Sequence, residues 1–215
     1  RIDPSTNTID KTVAVGPNPE EMVIVNKSLY VTNSDGNNYN AGYANGKSVS
    51  KISLSDFVEE KKIAVGLNPT KITADALGNV LVLCMGDYSA TPATVWKINA
   101  EDEATSMNIP ATIMDIKDNS LYVINAPYGA PSITYTVYNT SSGAVEKENF
   151  VSAPVDAPAG IAVHSDGRIF ITSYTLVGGF ASYKTPGYVS EYSSDGTFVK
   201  KYDVGVGAVS MTFLK

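Results

Sequence analysis

The chain has 215 residues, 43% of them hydrophobic and 18% charged, with 16 basic against 22 acidic residues and a net charge of −6. Such a length can bury a sizeable core, whereas the acidic balance argues against a nucleic-acid backbone as partner, which needs a Lys/Arg stripe. No apolar run approaches the roughly 20 residues of a membrane helix, and a single cysteine excludes a disulfide framework or a Cys-x-x-Cys site.

Thirteen tyrosines, seventeen glycines and eleven prolines suit an all-β chain rich in turns. The sequence opens at Arg1 with no leader, which reads as a piece of a longer, processed product. Its first residues suggest two strands around the turn Asp3-Pro4-Ser5-Thr6-Asn7. Then a pattern starts to repeat. An apolar run at residues 22–25 is followed by the turn Asn26-Lys27-Ser28 and the strand Leu29-Tyr30-Val31-Thr32-Asn33. Third and fourth strands follow at 49–54 and 61–65, separated by Ser55-Asp56.

The same order returns three times. Innermost runs are expected at 72–74, 113–116 and 161–163, with a last one at 209–214. Second strands are expected at Val80-Leu81-Val82-Leu83-Cys84, Leu121-Tyr122-Val123-Ile124-Asn125 and Ile169-Phe170-Ile171-Thr172-Ser173. From Leu29 these copies are 51, 41 and 48 residues apart, and Pro19, Pro69, Pro110 and Pro158 open the innermost runs. Four short strands per 40–50 residues is the period of a β-propeller blade, and no helical stripe competes with it. Each blade is a meander that must stack on neighbours to bury both faces.

The residues Arg1-Ile2-Asp3-Pro4-Ser5-Thr6-Asn7, then Gly16-Pro17-Asn18-Pro19, then Leu29-Tyr30-Val31-Thr32-Asn33 resemble the YVTN-type propeller repeat of bacterial surface-layer and cell-envelope proteins. The resemblance is specific for fold and poor for function. It implies a seven-bladed ring in the full-length protein, with residues 1–215 forming one propeller domain of four to five blades at its C-terminal side. Nineteen strands are expected here, fewer than seven blades need, so N-terminal blades of the same protein would complete the ring. A five-bladed ring lacking one strand stays open as the alternative. The resemblance also implies export to the cell surface or periplasm, and a corrinoid-type small molecule as one ligand such propellers capture.

In a meander, successive connections fall on alternate ends of the sheet. One end collects short turns. The other collects the variable loops 34–47, 85–93, 126–131 and 174–187, each carrying tyrosine. Variable loops on a rigid scaffold are where binding sites are built, and tyrosine gives them contact area with a polar tip. The candidate ligand-binding set is therefore Tyr39, Asn40, Tyr43, Asp87, Tyr88, Tyr128 and Tyr174. The plainer alternative is that these rings only pack their own loops. Asn33, Cys84, Asn125 and Ser173, which close the second strands, read as turn caps and, for Cys84, a small buried hydrophobe.

Catalytic signals are thin. His164 stands alone in the turn His164-Ser165-Asp166-Gly167 and does not make a triad. The loop Ser34-Asp35-Gly36-Asn37-Asn38 is rich in oxygen but lacks calcium-loop spacing. No cofactor, metal or catalytic residue is assigned. The expected function is a non-enzymatic cell-envelope binding module for a small molecule, glycan or protein. A metal-dependent lactonase or lyase is the alternative.

Overall fold

Residues that tolerate left-handed backbone set the ends of the first strands. Each of the four turns after an innermost strand holds one of them: Asn26 (φ 54), Gly78 (φ 84), Asp118 (φ 55) and Gly167 (φ 94). Asn, Asp and Gly reach this region at the lowest cost, which is why they punctuate the sequence where they do. The computed structural model describes residues 1–129 and 132–213, and the chain divides into two units, 1–110 and 111–215.

The first unit opens with a hairpin of β1 (Ile2–Asp3) and β2 (Thr8–Ile9). Two antiparallel meanders follow, each four strands in chain order. The first contains β3 (Pro19–Val25), β4 (Ser28–Asn33), β5 (Ser48–Ser53) and β6 (Glu59–Ala64). The second contains β7 (Pro69–Ala74), β8 (Val80–Cys84), β9 (Thr94–Ile98) and β10 (Ala104–Pro110). Val49, Ile63, Ile72, Val80, Val82 and Ile98 pack into one core drawn from both sheets. The outer strand β6 (Glu-Glu-Lys-Lys-Ile-Ala) is exposed at all but one position, and its charges protect an open edge from further pairing. Polar ties join the sheets. The Glu21 carboxylate of β3 accepts from the Ile72 amide of β7 at 3.2 Å, and also pairs with Lys71.

The second unit repeats the scheme. Its first meander contains β11 (Ile113–Lys117), β12 (Ser120–Asn125), β13 (Thr134–Asn139) and β14 (Val145–Glu148). Its other meander contains β15 (Pro158–Val163), β16 (Ile169–Ser173), β19 (Tyr188–Tyr192) and β20 (Phe198–Asp203). Between β16 and β19 stands a small hairpin of β17 (Leu176–Val177) and β18 (Phe180–Ala181). The core holds Ile124, Tyr135, Phe150, Ile169, Ile171 and Tyr192. An acid again ties neighbouring inner strands: Asp115 of β11 accepts from the Val163 amide of β15 at 2.7 Å.

Three expectations change. Pro110 ends the ladder of β10, pairing with Thr94, instead of opening β11. Lacking an N–H, it fits a strand end as readily as a strand start. Pro19, Pro69 and Pro158 do open their strands, each followed by an irregularity in register. The innermost strand expected at 209–214 is absent: residues 209–213 form no strand, and Leu214 lies outside the described residues. An innermost strand draws its ladder bonds from the second strand of its own sheet, and no described strand pairs with this segment. It contacts the β15–β16 sheet by packing, with Phe213 edge-on to His164 and beside Phe170. Finally, β17 and β18 lie in what the sequence suggests is plain loop.

Candidate functional site

The loops are fastened to the sheets by a recurring device. In Gly16-Pro17-Asn18-Pro19, the left-handed Asn18 (φ 47) turns its carbonyl to the Ser34 amide at 3.1 Å, while the Pro17 carbonyl receives Asp35 at 3.1 Å. In Gly66-Leu67-Asn68-Pro69, Asn68 (φ 57) does the same for Met85 at 2.8 Å, and Leu67 for Gly86 at 3.0 Å. A side chain at Gly66 would collide with Trp96 and one at Gly16 with Asn33, so neither position can carry a Cβ without moving these residues. The loop after each second strand thus starts from a fixed point.

In the first unit the loops carry Tyr39, Asn40, Tyr43, Asp87 and Tyr88. Tyr43 (φ 56) and Tyr88 (φ 58) both hold left-handed backbone, costly for bulky residues. Their rings meet edge to face at 6.2 Å. Tyr39 and Asn40 lie exposed on the 3-10 turn Gly36–Ala41. Asp87 is engaged by its own loop: its Oδ1 accepts from the Ser89 amide at 2.9 Å and the Thr91 amide at 2.8 Å. These bonds, Thr91 foremost, hold its carboxyl below the usual carboxylate value.

In the second unit a cleft of about 550 Å³ opens among Tyr128, Tyr174, Phe180, Tyr183, Ile133 and Asp156. Two of its lining residues, Ala157 and Tyr174, are held by a strand end. Buried Ser173, the last residue of β16, accepts the Ala157 amide on its hydroxyl at 3.0 Å and donates to the Tyr174 carbonyl at 2.9 Å. The Tyr174 amide in turn reaches the Ala157 carbonyl at 3.0 Å. One wall is the β17–β18 hairpin, whose successive left-handed residues Gly178 (φ 63) and Gly179 (φ 86) make a two-residue turn. That turn presents Phe180 to solvent. Tyr174 and Tyr183 stand edge to face, 4.9 Å apart at 63°. Tyr128 is 97% exposed, Tyr183 72% and Phe180 70%. Asp156 supplies the one charged side chain of the described lining. The Tyr188 hydroxyl donates to its Oδ2 at 3.3 Å.

The seven residues expected from sequence therefore fall into two groups, five in the first unit and Tyr128 with Tyr174 in the second. Part of the loop 126–131 lies outside the described residues, namely Ala130 and Pro131. The candidate set omits Phe180, Tyr183 and Asp156 of this lining. Phe180 has a signal, Gly-Gly between apolar pairs, and Tyr183 is a loop tyrosine; Asp156 has only its place in a connection that joins the loop-bearing end.

The remaining chemistry is modest. His164 sits in its turn with Nδ1 2.8 Å from Asp166 Oδ1. Cys84 is buried in the first core, and desolvation pushes its thiol up to about 12. Among the described residues no three of His, Cys, Asp and Glu gather as a metal site, and no helix is long and apolar enough to cross a membrane.

No protein-family model matches the chain, and no curated protein matches it. Solved structures do. Hydrazine synthase from Kuenenia stuttgartiensis aligns with a TM-score of 0.66 at 17% identity, over 97% of this chain and 60% of that one. A protein described as a gluconolactonase aligns at 0.55 and 10% identity, over 89% of this chain and 64% of that one. A protein described as TolB, from Agrobacterium tumefaciens, aligns at 0.55 and 11% identity, over 85% and 64%. The chain thus spans less than two thirds of each of these structures. At such identities the likeness concerns fold alone, and that fold is a β-propeller of four-stranded antiparallel blades.

Proposed function

We propose that the chain is a non-enzymatic binding module of the cell envelope that takes a small-molecule ligand on its tyrosine-bearing loops. The observation that carries this reading is the cleft of the second unit. There, exposed aromatic rings surround a concavity in which Ala157 and Tyr174 are fixed by hydrogen bonds to Ser173. Preformed concave sites lined by rings, with few polar groups, are the usual form of small-molecule sites. Tyr128 and Tyr174 give contact area there. In the first unit Tyr39, Asn40, Tyr43 and Tyr88 offer a second surface, with Asp87 shaping its loop. Export, and a corrinoid as one ligand, rest on the resemblance to YVTN-type repeats and belong to the proposal.

Calorimetric titration with cobalamin and with a panel of neutral oligosaccharides tests it. Binding abolished by Tyr128→Ala or Tyr174→Ala supports the cleft. Tyr128 is almost fully exposed, so its replacement leaves the fold intact. Absence of binding to every class of ligand tried, the ammonium probes below included, would reject the reading. A stoichiometric bound cation together with lactone hydrolysis would replace it with the enzymatic alternative.

A further inference from the structure

We infer that the cleft of the second unit selects ligands bearing an alkylated ammonium group. This rests on the reading of the cleft as a ligand site. Four rings, Tyr128, Tyr174, Phe180 and Tyr183, and one carboxylate, Asp156, contribute to the described lining, and no Lys or Arg is among it. The face of each ring is the negative pole of its quadrupole, so rings gathered around a concavity attract a cation. Tyr174 and Tyr183 stand at 63° with centroids 4.9 Å apart, so the two rings at the cleft are crossed and offer no single shared plane. Such crossed rings suit a rounded methylated cation better than a flat sugar face, which needs one open ring plane to stack on.

The carboxylate completes the complementarity. Asp156 lies exposed at the cleft, with Oδ2 receiving the Tyr188 hydroxyl. Lys201 stands 3.5 Å over the Tyr188 ring and forms no ion pair with Asp156 among the described residues. Asp156 thus lies exposed at the cleft with a hydroxyl, and no ion-pair partner among the described residues, on its carboxylate. An alkylammonium loses less hydration on entering an aromatic site than a primary ammonium does, so rings and a single acid suffice to hold it. Anionic ligands meet like charge at Asp156 and are disfavoured.

The test uses choline, tetramethylammonium and 3,3-dimethylbutan-1-ol, the last being choline's uncharged counterpart in shape. Binding is followed by amide chemical-shift changes at Tyr174, Phe180 and Tyr183. The expected result is that choline binds about two- to five-fold more tightly than the alcohol, the range of a cation held by exposed aromatic faces. Asp156→Asn, whose amide oxygen still accepts from Tyr188, should weaken choline several-fold and leave the alcohol unchanged. Tyr183→Leu, at an exposed position, should lower the preference for the cation. Equal affinity for choline and the alcohol would overturn the inference, as would insensitivity of choline to Asp156→Asn. If no ammonium binds while cobalamin or an oligosaccharide does so at these same amides, the inference falls and the cleft stands as a binding site. If nothing perturbs these amides, both fall.

Discussion

Ser173 holds two residues of the cleft lining, Ala157 and Tyr174, through its hydroxyl. In Ser173→Ala the Ala157 amide loses its acceptor at 3.0 Å, and the Tyr174 carbonyl loses a donor at 2.9 Å. A buried amide left without a partner costs about 1–3 kcal/mol. Ser173 itself is buried, but Ala157 is only half-buried, so water reaches its freed amide in part. The upper end of the range is thereby removed, leaving about 1–2 kcal/mol. For a chain of this length that corresponds to a fall in Tm of about 2–8 °C. Hydrogen exchange separates this from a diffuse effect. The Ala157 amide should exchange faster in the variant, whereas the Ile171 and Val189 amides in the body of the same sheet should keep their protection. The ligand affinity of the cleft should fall with it, since Tyr174 starts from this anchor. A stability change within about 0.5 kcal/mol, the usual range for an unremarkable surface change, together with unchanged exchange at Ala157, would refute the reasoning.

Other outcomes follow from the same kind of argument. Asp102 pairs with Lys51 at 2.9 Å, both side chains less than one-fifth exposed, and with Lys61 at 3.6 Å. Since its backbone is left-handed (φ 60), Asp102→Asn keeps a tolerant residue and removes only the charge; urea unfolding should show a loss of about 1–2 kcal/mol, between exposed and buried pairs. Glu191 is held below its ordinary value of 4.5 by the Tyr202 hydroxyl and then Arg168. Its contribution is therefore complete above pH 4.5 and lost as pH falls through the lower folded value, so Glu191→Gln should flatten the acid side of the stability–pH curve. Cys84, 1% exposed and with its thiol near 12, should resist a thiol reagent at pH 8 until guanidinium unfolds the chain. In Gly46→Ala the new methyl would lie 1.9 Å from the Ser34 carbonyl, so proteolysis within residues 34–47 should accelerate relative to the unaltered chain.

The strands were legible because their limits are set locally. The second strands expected at 80–84 and 169–173 match β8 and β16. In each case an Asn, Asp or Gly turn lies before the run, and alternation or a continuous apolar stretch fills it. The failures share a cause as well. Pro110 satisfies a strand end and a strand start equally, so only the ladder, with Thr94 opposite, decides between them. Residues 209–213 have the apolar pattern of an innermost strand, yet pattern does not supply the neighbouring strand that a ladder requires.

The site shows the same division between what is local and what is tertiary. Tyr128 and Tyr174 were recognisable as loop tyrosines, since a variable loop after a rigid strand is itself a sequence feature. Phe180 was recognisable in principle: Gly178-Gly179 between Val177 and Phe180 is the signature of a two-residue hairpin, and the structure pairs those two residues. Asp156 was not. It is an ordinary acid in a connection between sheets, and it gains meaning only because the Tyr188 hydroxyl, 32 residues away in sequence, receives its amide at 3.2 Å and donates to its carboxylate. The acid is thus tied into the cleft by a contact that no spacing encodes, while the rings around it are announced by their loops. Sequence alone therefore suggests an aromatic loop surface in general, and the one acid of its described lining enters only with the fold.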